Sequence, residues 1–267
     1  MNGRFGAVVG SACVAMMSGC STGWINANET ADLTVLIGAD EVQQTSSLHV
    51  ETEAGDVTIK PAEGEPHILA HIRAQSRERA DATAVHARLD QGSILSVGVD
   101  WPNGKRRQNE SCDLTIFVPT MDGVEVWTSA GDLDISEMGG LLDLHTSAGD
   151  VNVRKHTGEV RLRTSAGDVS LDDISGPISV ATSAGDIRLI RVAGPVEAST
   201  SAGDVYAELN AGYVGQIRAA TTAGDISLNG SQFRGRHGEV RIGADEAGPT
   251  STFKTTAGDV DVLVRSK

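Results

Sequence analysis

Apolar and polar positions recur along the middle of the chain with a step of 18 residues. In the unit beginning at Thr146 the apolar positions are Ala148, Val151, Val153, Val160 and Leu162. Two columns continue the first strand of the unit: Leu133, Val169, Ile187 and Val205, then Ile135, Leu171 and Leu189. Two more follow: Leu142, Ile178, Val196 and Val214, then Leu144, Val180 and Ala198. Val160, Leu162, Thr164 and Ala166 alternate with period two, which predicts an extended strand with one inward face. The phase breaks across Gly167-Asp168, and inward positions resume at Val169 and Leu171. A second corner falls near Gly140, Gly158, Gly176, Gly194 and Gly212. Each unit therefore predicts strand, Gly-Asp corner, short strand, glycine corner. One such unit cannot bury its own face, so neighbours must stack.

The repeat is also literal. Thr128-Ser129-Ala130-Gly131-Asp132-Leu133 returns at Thr146, Thr164, Thr182 and Thr200, each 18 residues on. It returns at Thr221 after 21 residues and at Thr255 after 34, with an outlying copy at Thr52-Glu53-Ala54-Gly55-Asp56-Val57. The expected fold is all-β: a single-stranded β-helix, or β-solenoid, with coils of about 18 residues. A right-handed coil and an irregular N-terminal β cap are expected. Seven coils at the usual strand spacing give a rod on the order of 34 Å long. The left-handed hexapeptide helix also has a coil of about 18 residues, but its apolar residue at every sixth position does not occur here. Period-two patterning and β-branched residues disfavour helix over 128–229.

Upstream, 49–60 reads as a strand pair around Ala54-Gly55-Asp56, and 67–73, 93–99 and 113–118 read as strands. Residues 77–89 are charged and alanine-rich, a short helix or a loop. Solenoid ends need caps, because an open end exposes unpaired backbone. The 45–127 region is expected to supply irregular first coils and one cap. The segment 230–253, together with 260–264, is expected to supply the other.

The N-terminus reads as an address. Arg4 precedes a short apolar stretch, 5–17, well below the roughly 20 residues that span a bilayer. It ends in Met17-Ser18-Gly19-Cys20, which resembles the lipobox of bacterial lipoproteins with Met17 in place of the usual Leu. The implied organisation is a signal peptide over 1–19, lipidation at Cys20, a lipid-anchored tether over 20–44 with one strand near 33–37, the β region over 45–127, and the regular solenoid over 128–267 with an insertion at about 230–253. Acyl chains contribute about 0.8 kcal/mol per buried methylene, so a multiply acylated cysteine anchors firmly. Ser21 after the cysteine favours the outer membrane. Cys13 leaves with the signal, so Cys112 is alone and no intramolecular disulfide framework forms. Its alternation with Leu114, Ile116 and Val118 predicts a buried, inert thiol.

Composition narrows the function. The formal charge is −14, which argues against nucleic-acid binding, since that needs a basic footprint. Nine aromatic rings are too few for stacking platforms to be the first idea. The 31 glycines, well above the usual roughly 7%, indicate tight turns. The candidate chemistry is a ladder of carboxylates: Asp132, Asp150, Asp168, Asp186, Asp204, Asp225 and Asp259. Like charges one rung apart repel by roughly 0.9 kcal/mol in bulk water. Backbone N–H bonds at each corner, as in Asx-turns, would offset that. The alternative is a Ca²⁺ ladder, but one carboxylate per coil is sparse for an ion wanting 6–8 oxygens. Thr128, Thr146, Thr164, Thr182, Thr200, Thr221 and Thr255 form an inward column whose hydroxyls are expected to bond along the rod. Seven histidines show no metal-ligand spacing, and no nucleophile elbow, phosphate loop or cysteine-pair motif occurs. No catalytic residue, metal set or cofactor is therefore assigned. The rival reading is a polysaccharide-acting β-helix enzyme walled by the 230–253 insertion, with Arg234, Arg236, His237, Asp245 and Glu246.

The run Asp113-Leu114-Thr115-Ile116-Phe117-Val118-Pro119, then Gly123-Val124-Glu125-Val126, then iterated Ser-Ala-Gly-Asp-Val-x-Val resembles the bacterial adhesin-like family. These are β-strand-repeat domains of unknown function related to autotransporter-adhesin heads. The resemblance covers roughly 45–267. It implies a single-stranded β-helix, envelope association and no established catalytic residues; "adhesin" there is largely a label. The expected function is a noncatalytic cell-envelope lipoprotein, an adhesin-like binding or structural module. Its expected partners are the membrane, through the lipid, and an envelope protein or glycan.

Overall fold

The computed structural model describes residues 29–38, 45–90, 93–229, 231–233, 236–242 and 248–265. The two corners of each repeat split a coil into two strands, one for each of two sheets. In the regular region one sheet takes β9 (Leu133–Ser136), β11 (Val151–Thr157), β13 (Val169–Ser175), β15 (Ile187–Ala193) and β17 (Val205–Leu209). The other takes β8 (Gly123–Thr128), β10 (Leu141–His145), β12 (Val160–Arg163), β14 (Ile178–Ala181) and β16 (Val196–Ser199). All of these pairings are parallel, and all but β15–β17, whose register shifts between Leu189 and Val192, keep equivalent repeat positions opposite one another, so the period of the sequence becomes the stacking of the coils.

The stack is longer than the clustered repeats suggest, because its order in space differs from its order in the chain. The coil of β2 (Ser47–Thr52) and β3 (Val57–Pro61) lies directly against β8 and β9, with Thr52 paired to Thr128. The outlying copy is thus an ordinary rung. Beyond it lies the coil of β6 (Ile94–Asp100) and β7 (Ser111–Val118). At the far end β22 (Thr250–Lys254) and β23 (Val260–Val264) insert between β16/β17 and the coil of β18 (Gly215–Ala220) and β19 (Ile226–Leu228). The last copy in the chain is the last but one in space. Nine parallel coils result among the described residues. One apolar ladder threads all of them: Leu114, Val57, Leu133, Val151, Val169, Ile187, Val205, Val260 and Ile226, each at most 1% exposed.

Antiparallel strands close both ends. β4 (His67–Ala74) pairs with β7, β1 (Glu29–Leu36) with β4, and β5 (Ala84–Asp90) with β6. The alanine-rich segment divides into α1 (Arg77–Ala82), capped by the Ser76 hydroxyl, and β5. Beneath α1 the Arg79 guanidinium grips Glu110 with two bonds of 2.6 and 2.7 Å, and Glu110 is 1% exposed. At the other end β20 (Ser231–Phe233) and β21 (His237–Ile242) pair antiparallel with β19 and β18. Residues 260–264 are therefore an inserted coil rather than a cap, and 250–253 are coil rather than insertion.

Three inward positions expected from the pattern are corrected. Ala148 and Ala166 sit at the corner and are exposed. Val214 is 42% exposed, and Ile217 fills its column instead. The 21-residue interval places a turn before β18, so the glycine at positive φ is Gly215 (+159°) rather than Gly212. The same turn brings Tyr213 inward, where its hydroxyl meets Ser251 Oγ at 2.9 Å. Ser251 stands fully buried in an otherwise apolar column and also accepts the Val196 N–H at 3.1 Å.

Candidate functional site

Each Gly-Asp corner needs glycine for two reasons. At Gly167 φ is +124°, and a Cβ would lie 2.1 Å from the Gly149 carbonyl oxygen of the next coil. The backbones meet there, and the following aspartates come into line. Every Asp carboxylate of the series except that of Asp225, at its end, accepts the backbone N–H of the Asp in the adjoining coil. The series runs Asp113, Asp56, Asp132, Asp150, Asp168, Asp186, Asp204, Asp259, Asp225, with bonds of 2.7 to 3.1 Å. The acceptor role matches the Asx-turn idea, but the donor belongs to the neighbouring coil, not to the same turn. A hydrogen bond to a charged group contributes about 1.5–3 kcal/mol, more than the repulsion between exposed neighbours. Asp56 and Asp113 belong to the ladder too. Asp56 carries the repeat signature, whereas Asp113 lacks the Ala-Gly that marks the corner, so only the pairing exposes it.

The threonine column is buried as the pattern requires. Its hydroxyls bond to carbonyls rather than to one another. Thr128, Thr146, Thr164 and Thr182 donate to the alanine carbonyl two residues on. Thr200, Thr255 and Thr221 donate to a glycine carbonyl of the adjacent coil.

Six of the seven histidines are tied up locally. His49, His71, His86 and His145 each meet one carboxylate: Glu125, Asp32, Asp100 and Asp143. His67 stacks on Phe117 at 4.6 Å. His156 is buried in a third inward column with Ile174 and Val192, where burial lowers its pKa. Its Nε2 lies 3.2 Å from the Gly140 carbonyl. Cys112 is fully buried, and desolvation pushes its thiol up to about 12, so it is inert. The Arg79 side chain holds Glu110 down to about 2. Among the described residues no three of His, Cys, Asp and Glu gather as a metal cage. Cys20, Arg234, Asp245 and Glu246 lie outside the described residues; Arg236 and His237 are exposed at the start of β21.

A groove of about 530 Å³ crosses four consecutive coils at the ends of β8, β10, β12 and β14. Trp127, His145, Arg163 and Ala181 occupy one outward column along it. Trp127 is 46% exposed; its Nε1 donates to Glu125 at 2.7 Å and its ring stacks on His145 at 4.2 Å and 15°. Ser129, Ser147, Ser165 and Ser183 border it, all exposed. Low aromatic content hid this feature: one well-placed ring matters more than the total.

The Toastrack DUF4097 family model matches residues 11–263. No curated protein matches the chain. Among solved structures the chain is similar to a candidate adhesin of Bacteroides fragilis, with 15% identity, 90% of this chain and 98% of that one covered, and a TM-score of 0.48. It is similar to a candidate adhesin of Parabacteroides distasonis, with 10% identity, coverage of 88% and 98%, and a TM-score of 0.42. It is also similar to a candidate lipid-binding protein of Parabacteroides distasonis, with 12% identity, coverage of 90% and 97%, and a TM-score of 0.41.

Proposed function

The chain belongs to the Toastrack DUF4097 family, and from that membership we propose a noncatalytic module of the cell envelope that binds a macromolecule along its rod. The observation that carries this reading is the regular, polar outward surface. Between the buried columns stand Asn152, Arg154, Glu159, Arg161, Arg163, Ser170 and Asp172, polar and mixed in sign. Such a face suits a broad partner, an envelope protein or a glycan, rather than a small molecule in a deep pocket. The Cys20 motif supports a lipid anchor, with the outer membrane favoured. The Asp ladder is read as structural, since every rung but the terminal Asp225 already spends a carboxylate oxygen on a backbone N–H.

Crosslinking in the native cell, followed by identification of what is captured, tests the binding role. Saturable cleavage of a glycan or peptide by the purified chain would overturn the noncatalytic reading. A Cys20→Ser variant should lose lipid labelling and leave the membrane fraction; unchanged processing would remove the anchor. Calcium or chelator should leave the melting temperature where it is, and a large calcium-dependent rise would restore the ion ladder.

A further inference from the structure

We propose that the groove beside Trp127 binds a neutral, unbranched glycan lying along the rod, a deepening that rests on the binding-module reading above. Trp127 is a large apolar side chain left half open on a sheet face. It is also held in place, by the bond to Glu125 on its edge and by His145 on one face. Asp143 Oδ1 lies 3.0 Å from His145 Nε2. A ring already oriented loses little conformational freedom on binding. Along the same outward column the side chains then shrink from His145 and Arg163 to Ala181 and Ser199, which opens the depression.

Arg163 is the free donor. Arg161 on the same strand is paired with Glu159, and Arg154 and Arg191 on the other sheet with Asp134 and Asp172, whereas the Arg163 guanidinium has no ion pair or hydrogen bond among the described residues. Beside it the hydroxyls of Ser147, Ser165 and Ser183 repeat at the coil spacing, about 4.8 Å. A pyranose ring has apolar C–H groups for the exposed part of the indole and a rim of hydroxyls for the guanidinium and the serines. An extended glycan repeats at about the rung spacing, so successive rings meet successive serine hydroxyls.

The surroundings select among ligands. The exposed Asp column runs just beyond the serines, and the whole chain carries −14, so a polyanion is repelled. A peptide cannot add a strand here, because the groove lies over paired backbone: the Thr146 and Thr164 N–H groups already donate to Arg163 and Ala181 carbonyls.

The full chain is titrated by calorimetry with cellohexaose, chitohexaose and polygalacturonate. At least one neutral hexasaccharide is expected to bind saturably. Trp127→Ala and Arg163→Ala should each weaken that binding about tenfold or more while leaving the melting temperature unchanged. Arg188→Ala, on the other sheet beside Tyr206, should leave it intact. Absence of saturable binding by both neutral probes, unchanged affinity in both groove variants, or binding of polygalacturonate alone each overturns the proposal. If crosslinking captures an envelope protein while neither hexasaccharide binds, the glycan site falls and the binding-module reading stands.

Discussion

The five coils from β8 to β17 and the two ends of the rod solve the same packing problem differently. In the middle, chain order and spatial order coincide, and each coil repeats the contacts of the last. At the ends the chain doubles back, so β2/β3 lies inside β6/β7 and β22/β23 lies inside β18/β19. There the repeated contacts give way to single ones: Arg79 on Glu110 under α1, and Tyr213 on Ser251 beside β22. A regular stack can be specified by a short motif used many times. A boundary has a neighbour on one side only and needs residues that occur once.

The largest contrast is expected for a charge placed in a column. Val169→Asp buries an unpaired carboxylate in the nine-rung ladder and should cost about 5 kcal/mol. Val214→Asp, in the column as read from sequence but on the surface in fact, should cost less than about 0.5 kcal/mol. Denaturant melts of both variants check this, and equal losses would contradict the placement of Val214.

At the N-terminal cap, Arg79→Leu leaves Glu110 buried without its partner and should cost about 4 kcal/mol. Hydrogen exchange should show β4 to β7 losing protection while β11 to β15 keep theirs. Uniform loss along the rod would mean that the ends and the middle unfold as one unit.

Two corner glycines, one from each corner series, should separate by somewhat less. Gly167→Ala meets a backbone oxygen at 2.1 Å in a left-handed conformation and should cost about 3 kcal/mol. Gly212→Ala meets nothing within 4 Å and should stay within about 1 kcal/mol. Thermal melts decide it. Tyr213→Phe, which removes one partner of the buried Ser251, should cost about 1–2 kcal/mol, and no change would indicate that another donor replaces it.

Acid should weaken the two regions in sequence. His156 stays neutral in the core, so the unfolded chain binds more protons below about pH 6.5 and the middle of the rod loses stability as pH falls from there. Glu110 is ionised in the folded cap down to about 2, so its contribution is complete above its unfolded value of 4.5 and is lost as pH falls from there through about 2. His156→Leu should flatten the first slope and leave the second. An unchanged slope between pH 6.5 and 5 would show that another group titrates there.

Much of this protein was determined by its sequence alone, because a repeated motif makes local pattern and tertiary contact the same fact. The 18-residue step, the inward Val, Ile and Leu columns and the glycine corners are all visible in one dimension. So is the carboxylate at each corner. The apolar alternation of β2, β3, β4, β6 and β7 was equally legible. The order of the coils was not. Thr52 and Thr255 carry the same motif as their neighbours, and an identical motif docks equally well at any rung; loop lengths and the single-use contacts at the ends select the rung. The third bend was hidden as well. Glu137, Lys155, Asp173 and Arg191 adopt positive φ of 51° to 61° at 18-residue steps without a glycine to announce it. Stacking alone holds them there, since each would avoid that conformation in an isolated strand. The groove likewise exists only in three dimensions. Trp127, His145, Arg163 and Ala181 are 18 residues apart in sequence and one strand spacing apart in the sheet, so their shared surface is a product of the coil.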